Sequence, residues 1–142
     1  MQTVSAGKYV RRDREGLLAF LGDCREQARR DGRFHLASIA LEVRHIAPLA
    51  VLQSIYEPAE RHAFLERPTG HEALAGAEAV VVMERDGADR FTQARAFADD
   101  IAAHCTVTGD LEAPFAGPHF FCAFAFNEDP AETSPFRATT VF

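Results

Sequence analysis

The sequence lacks the features that mark membrane, secreted and disulfide-linked proteins. No apolar run approaches the ~18–20 residues that cross a bilayer, and residues 1–10 lack the apolar stretch of a secretory signal. The three cysteines are odd in number and fit no disulfide framework, which favours a reducing compartment. We therefore predict a cytoplasmic protein with no membrane partner.

Motifs of nucleotide and metal sites are also missing. The glycines form neither a GxGxxG nor a GxxxxGK loop, and the sequence contains no CxxC pair and no HExxH helix. The net charge is −6, and residues 46–142 carry six basic and fifteen acidic side chains. Because affinity for nucleic acid depends on neutralising phosphates, this acidic excess argues against a nucleic-acid partner.

Basic side chains concentrate instead in residues 1–45, where nine of them stand against six acidic ones. Arg25, Arg29 and Arg33 are spaced by four and therefore share one face of a predicted helix. We interpret that face as solvated. Contact with an anion or with another domain is the alternative.

Hydrophobic periodicity predicts the first two elements. Helical spacing indicates a helix over residues 13–30 with Asp13 as its N-cap. Alternation then indicates a strand over residues 34–45. The residues predicted to face the core are Leu17, Phe20, Leu21, Cys24 and Ala28 on the helix, and Ala37, Ile39, Leu41 and Val43 on the strand.

The remaining chain alternates short strands with helices. Residues 47–54 form a helical turn, 89–105 a second long helix and 106–118 a loop, while the strand segments are 61–67, 72–77, 79–85, 120–126 and 137–142. Helical crossovers are too few for a parallel sheet. We therefore predict an α+β fold with mostly antiparallel strands and two long helices, built from an N-terminal tail (1–12) and one domain (13–142).

Side chains that could carry chemistry are few, and each has a plain structural explanation. A metal set of His104, Cys105, His119 and Cys122 has a ligand-like spacing, but both cysteines are predicted to face the core. Cys24 lies on an apolar helix stripe and is interpreted as a small buried hydrophobe. The sequence therefore predicts no metal-binding residue and no thiol nucleophile.

Histidines and glutamates near the predicted hairpin are a second set. His62 and His71 flank the hairpin and could face one another as an acid/base couple, as in a small hydrolase, although exposed histidines are the commoner case. Other acidic and aromatic residues are assigned to solvent or to the core. Predicted on the solvent side are Glu66, Glu72, Glu78, Glu84, Asp99 and Asp100, and predicted in the core are Phe115, Phe120, Phe121, Phe124 and Phe126.

Two stretches carry a resemblance. Residues 64–91 read FLERPTGHEALAGAEAVVVMERDGADRF, and residues 119–142 read HFFCAFAFNEDPAETSPFRATTVF. The first resembles the N-terminal part of isochorismate synthases, and the second is similar to their Gly-Gly-Phe-Ala-Phe-Asp segment. The matching positions are Glu66, Arg67, Pro68, Ala75, Gly76, Arg90 and Phe91, while Cys122, Ala123 and Asn127 depart from the pattern.

The resemblance implies that the chain is part of the larger α/β sandwich of chorismate-utilising enzymes, a fold shared with anthranilate synthase component I. In that family a lysine activates water, a carboxylic acid assists departure of the old hydroxyl, and glutamates hold Mg²⁺, all in the C-terminal half. Lys8 is the only lysine here, and a lysine in a tail is poorly placed to act as a base. The expectation is therefore an N-terminal, non-catalytic segment without catalytic, cofactor-binding or metal-binding residues, whose full-length enzyme uses chorismate and Mg²⁺.

The apolar end of the last predicted strand leads to two further expectations. Thr140, Val141 and Phe142 end the sequence in mid-strand, so we expect a chain cut before its catalytic domain, which would be its partner. We also expect the segment alone to self-associate through its last strands. A segment of anthranilate, aminodeoxychorismate or salicylate synthase, and a stand-alone α+β interaction module, remain the alternatives.

Overall fold

The computed structural model describes residues 2–3, 14–43, 46–130 and 137–142. The chain forms two compact units, the first from residues 1–42 and 95–119 and the second from 43–94 and 120–142. Some of the predicted positions lie outside the described residues. They are Lys8, the N-cap Asp13, and Arg44 and His45 at the end of the strand predicted over residues 34–45.

A three-stranded parallel sheet lies in the first unit. Strand β6 (Cys105–Gly109) is its centre, flanked by β1 (Gln2–Thr3) and β2 (Leu36–Ala40). In this register Leu36 lies opposite Cys105 and Gln2 opposite Thr106. The prediction that the chain has too few crossovers for a parallel sheet was wrong, because residues predicted as a loop form β6 and two residues of the predicted tail form β1.

Helix α1 (Arg14–Asp31) and the end of helix α3 (Arg90–Ala103) belong to the same unit. The core there contains Phe20 and Cys24 of α1, Ile101 of α3 and Cys105 and Val107 of β6. Both long helices were predicted from the 3.6-residue spacing of their apolar positions. Burial of Phe20 and Cys24 confirms the centre of the predicted stripe.

Other residues predicted to face the core are exposed in the described structure. Leu17 and Leu21 lie at the margins of the buried stripe of α1. On β2 the prediction for Ile39 was wrong, because β2 is an edge strand of the sheet with only β6 as its neighbour. Leu41 and Val43 are also exposed, since the strand ends at Ala40 before reaching them.

The second unit contains two antiparallel sheets. Strands β3 (His62–Arg67) and β4 (Glu72–Ala77) form a hairpin around the 3₁₀ turn Pro68–Gly70, as predicted. Strand β8 (Thr139–Val141) lies between β5 (Met83–Arg85) and β7 (Cys122–Phe124). The short helix α2 (Pro48–Ser54) begins with a proline at its first position, where the missing N–H costs nothing.

The predicted fold class is confirmed as a mixture of helices and mostly antiparallel strands. Of the five strand pairings among the described residues, three are antiparallel. In the second unit the buried residues are Met83, Arg90, Ala94, Ala138, Thr139 and Val141. Among the described residues, no helix combines the length and apolar character that crossing a bilayer requires.

Candidate functional site

The Glu-Arg-Pro sequence forms the exposed end of the β3–β4 hairpin. Arg67 and Glu72 face each other across the last rung of the ladder and form an ion pair. Pro68 starts the 3₁₀ turn, and His71 ends it in the left-handed region with φ 52°. Proline presets the turn and the ion pair closes it. Both charged side chains are well exposed, so screening by solvent leaves this pair a small contribution to stability.

Gly76 on β4 marks a close approach of an aromatic ring. A Cβ atom at this position would lie 2.6 Å from Cε2 of Phe121. The Phe121 ring stacks in turn on Phe142 with centroids 5.8 Å apart, and the two residues exchange backbone hydrogen bonds of 2.8 and 3.1 Å. Glycine is therefore required where the hairpin meets the sheet β5–β8–β7, because any side chain would displace Phe121.

Arg90, the first residue of α3, is a buried clamp. Its side chain is 8% exposed and donates hydrogen bonds to the carbonyl of Gly87 at 3.3 Å and to those of Ala125 and Phe126 at 3.5 and 3.4 Å. The guanidinium also lies over the Phe91 ring at 4.4 Å. Since it ties the start of α3 to the segment after β7, Arg90 positions these elements. Its hydrogen bonds leave it poorly placed to bind an external anion.

A second polar group lies at the open end of the hairpin. The side chains of Glu60 and His62 approach to 4.0 Å between Oε2 and Nε2, and both atoms are buried without a hydrogen-bond partner. The Tyr56 ring covers His62 with centroids 4.6 Å apart. Solvent does not reach Glu60 Oε2 or His62 Nε2, so each of these two atoms has the other as its polar neighbour. The sequence analysis singled out His62 but paired it with His71 and did not consider Glu60.

This register separates the two histidines that were considered as an acid/base couple. His62 lies opposite Ala77 at one end of the ladder, while His71 follows the turn at the other end, next to the Arg67–Glu72 rung. Five residues of extended strand span about 17 Å. The suggestion that His62 and His71 face one another was therefore wrong, and a hydrolase built on them is not supported.

One comparison with known proteins identifies the chain's relatives. The model of a family described as chorismate binding enzyme matches residues 22–142. The chain belongs to the chorismate-binding enzyme family. The match includes both stretches that resemble isochorismate synthases, and the family description names the ligand without naming a product. No curated protein and no solved structure matches the chain.

Magnesium chemistry in this family would need clustered carboxylates. The four glutamates of the hairpin region do not gather: Glu72 pairs with Arg67 and Glu84 pairs with Arg61 at 2.6 Å, and Glu66 and Glu78 are exposed. Within the described ranges, no three His, Cys, Asp or Glu side chains lie close enough to hold a metal ion. The described residues therefore do not fit a Mg²⁺ site.

The thiols are poorly suited to chemistry. Burial raises the pKa of Cys24 and that of Cys105, and both side chains lie in the core of the first unit, as predicted. Cys122 was predicted in the core but is exposed, because β7 is an edge strand. Desolvation by neighbouring groups nevertheless raises its pKa. A raised thiol pKa lowers the thiolate fraction, and thiolate is the reactive form.

The four residues considered as metal ligands in the sequence analysis, His104, Cys105, His119 and Cys122, have separate surroundings. His104 Nδ1 lies 2.8 Å from the carbonyl of Asp100, and His119 Nδ1 lies 3.0 Å from that of Gly117. Each histidine is thus occupied within its own short segment, while Cys105 is fully buried. Nothing in this geometry brings the set together as metal ligands.

Charged helix faces behave as predicted. Asp99 and Asp100 are exposed, Asp99 pairing with Arg95 at 2.8 Å and Asp100 with Arg33 at 3.6 Å. Arg29 pairs with Glu26 on the same exposed face of α1. Exposed pairs of this kind contribute little to stability, so the arginine face is solvated.

The phenylalanine-rich segment departs most from prediction. Phe115, Phe124 and Phe126 are exposed, and Phe120 and Phe121 are half-buried. The Phe124 ring contacts the Phe91 ring, with centroids 4.9 Å apart. The prediction that this run is core was therefore wrong for the exposed three. Phe124 and Phe126 lie on and beside the edge strand β7, and Phe115 lies in a loop after β6.

Proposed function

We propose that this chain is the non-catalytic N-terminal part of a cytoplasmic isochorismate synthase, an enzyme that moves the hydroxyl of chorismate to another ring carbon for menaquinone or siderophore synthesis. The observation that carries the proposal is the family match over residues 22–142. Two of the residues that match the isochorismate synthase motifs have structural roles in the second unit. Gly76 leaves space for the Phe121 ring, and Arg90 donates hydrogen bonds to the backbone after β7.

The chemistry of the side chains supports a scaffolding role. Moving a hydroxyl between ring carbons requires a base to activate water and a cation to hold the substrate carboxylate. The sole lysine is Lys8, and the motif residues Arg67 and Arg90 are committed to Glu72 and to backbone carbonyls. We infer that the water-activating lysine and the Mg²⁺-binding glutamates come from a separate catalytic domain.

A reconstitution assay tests this proposal. The purified 142-residue chain is incubated with chorismate and MgCl₂, alone and after co-expression with the catalytic domain of an isochorismate synthase that lacks its own N-terminal region. Separation of the products by chromatography should give isochorismate only in the second case. Conversion by the chain alone, or no conversion in either case, would contradict the proposal.

Matched variants make the assay specific. Arg90→Met removes the clamp and should reduce reconstitution, whereas Arg95→Met, on the exposed face of the same helix, should leave it unchanged. Co-expression with the catalytic domain of an anthranilate or a salicylate synthase tests the alternatives, since both products are fluorescent. Reconstitution with one of those domains, and none with the isochorismate synthase domain, would assign the chain to another branch of the family.

A further inference from the structure

Strand β7 is the outer strand of the sheet β5–β8–β7 in the described part of the chain. Phe121 exchanges backbone hydrogen bonds with Phe142, and the Ala125 N–H donates to the carbonyl of Ala138 at 2.8 Å. In an antiparallel ladder, alternate residues bond the same neighbour. The N–H and C=O groups of Cys122 and Phe124 therefore point away from β8, toward the outer edge.

Apolar side chains line this edge. Phe126 is 105% exposed, Phe91 is 53% and Phe124 is 43%, and the Phe91 and Phe124 rings are in contact. Together they expose the equivalent of two whole phenylalanine side chains, ~400 Å². A patch of this size beside an open edge marks a surface that pairs with another strand.

We propose that β7 pairs antiparallel with β7 of a second copy of this chain, about a two-fold axis at Ala123. Cys122 of each copy then lies opposite Phe124 of the other, and their outward N–H and C=O groups form four hydrogen bonds. Phe124 on the strand and Phe126, two residues beyond its end, then cover apolar side chains of the second copy. The edge is self-complementary in hydrogen bonding.

Charge favours a second copy in this orientation. Residues 119–126 contain no Asp, Glu, Lys or Arg, so a two-fold axis brings no like charges together at the centre. Glu128 and Asp129 follow the strand, and antiparallel pairing places those of the two copies at opposite ends of the paired strands. Parallel pairing would place the acidic residues side by side.

The exposed area sets the strength of association. Stable interfaces bury about 800 Å² on each partner, roughly twice what the three phenylalanines expose. We therefore expect a weak dimer, with a dissociation constant in the micromolar range or above. The experiments below use protein concentrations that span this range.

Disulfide trapping tests the register. In the pairing proposed, the two copies of Ala123 form a non-hydrogen-bonded pair with Cα atoms about 4.5 Å apart, close enough for a disulfide. Ala123→Cys in a Cys122→Ser background should give a covalent dimer under mild oxidation, detected on a non-reducing gel. Val80→Cys in the same background, at a valine 73% exposed in the same unit, is the control for random collision.

Sedimentation measures the equilibrium itself. Phe126→Lys replaces a side chain that has no burial to lose, so the fold should persist by circular dichroism while dimerisation weakens about tenfold or more. Val80→Lys should leave the dissociation constant unchanged. Equal cross-linking of the two cysteine variants, equal association of the two lysine variants, or a monomer throughout the concentration range would each overturn the proposal.

Discussion

Replacement of Gly76 by alanine probes the contact between strand β4 and the Phe121 ring in the second unit. The added Cβ would lie 2.6 Å from Cε2 and 3.2 Å from Cζ of Phe121, well inside van der Waals contact. The ring cannot retreat freely, because it stacks on Phe142 and its backbone is bonded to the same residue. Overpacking of this kind costs about 1–3 kcal/mol in free energy of unfolding, and we expect that loss here.

Gly22 supplies a matched control on the same chain. It lies within α1, and a Cβ there meets nothing within 4 Å. Gly22→Ala should therefore raise the free energy of unfolding by about 1 kcal/mol through helix propensity alone. Urea denaturation followed by far-ultraviolet circular dichroism measures both variants. A Gly76→Ala protein as stable as the wild type would refute the close-approach argument.

A double-mutant cycle separates the clash from other effects. Phe121→Leu shortens the side chain that the new methyl group meets. If the contact is the cause, Gly76→Ala should cost about 1 kcal/mol less in the Phe121→Leu background than in the wild type. Additive losses would show that alanine acts through the backbone of β4 and not through the ring.

Three further predictions concern buried polar groups and thiols. Arg90→Met should lower the free energy of unfolding by about 2–4 kcal/mol because it removes the hydrogen bonds that the buried guanidinium donates to three backbone carbonyls. The exposed Arg95→Met should cost less than about 0.5 kcal/mol in the same urea titration, and equal losses would contradict this role of Arg90. Iodoacetamide should label Cys122 in the folded protein but Cys24 and Cys105 only in denaturant, as measured by mass spectrometry. Equal labelling of all three thiols in the folded protein would contradict the burial of Cys24 and Cys105. The pKa values of Cys24 and Cys105 are raised in the fold, so the folded state keeps these protons to higher pH than the unfolded state. The free energy of unfolding should therefore fall as pH rises above about 8.5–9. A free energy of unfolding that does not change over that range would contradict this.

Periodic segments of the fold were predictable from the sequence. The spacing of apolar residues located both long helices to within about two residues at each end, as expected for such boundaries, and the Pro-Thr-Gly turn located the β3–β4 hairpin. Strand β6 was missed because Cys105–Gly109 is short and follows α3 almost directly, so that Cys105 was assigned to the helix and the rest to a loop. It is nevertheless the most buried strand, because parallel pairing on both sides covers it. Pairing partners so distant in sequence leave no local trace.

Burial was harder to predict than secondary structure. Alternation assigns the two faces of a strand but does not say whether the strand lies at an edge, and both β2 and β7 are edge strands in the described sheets. Ile39 and Phe124 are exposed for that reason. A glycine inside a strand pattern does signal close approach, so the role of Gly76 was readable in principle. The burial of the Glu60–His62 pair was not, because a spacing of two residues indicates a shared face but does not indicate that this face is covered.

Strand β6 has a consequence for synthesis on the ribosome. Gln2 of β1 pairs with Thr106, and Leu36 of β2 pairs with Cys105. Both strands are therefore synthesised long before their partner β6. Contacts this distant in sequence close slowly. While Gly109 is still inside the ribosome, the emerged α1 and β2 should consequently be protease-sensitive, and once Gly109 has left the exit tunnel they should acquire protection in a single late step.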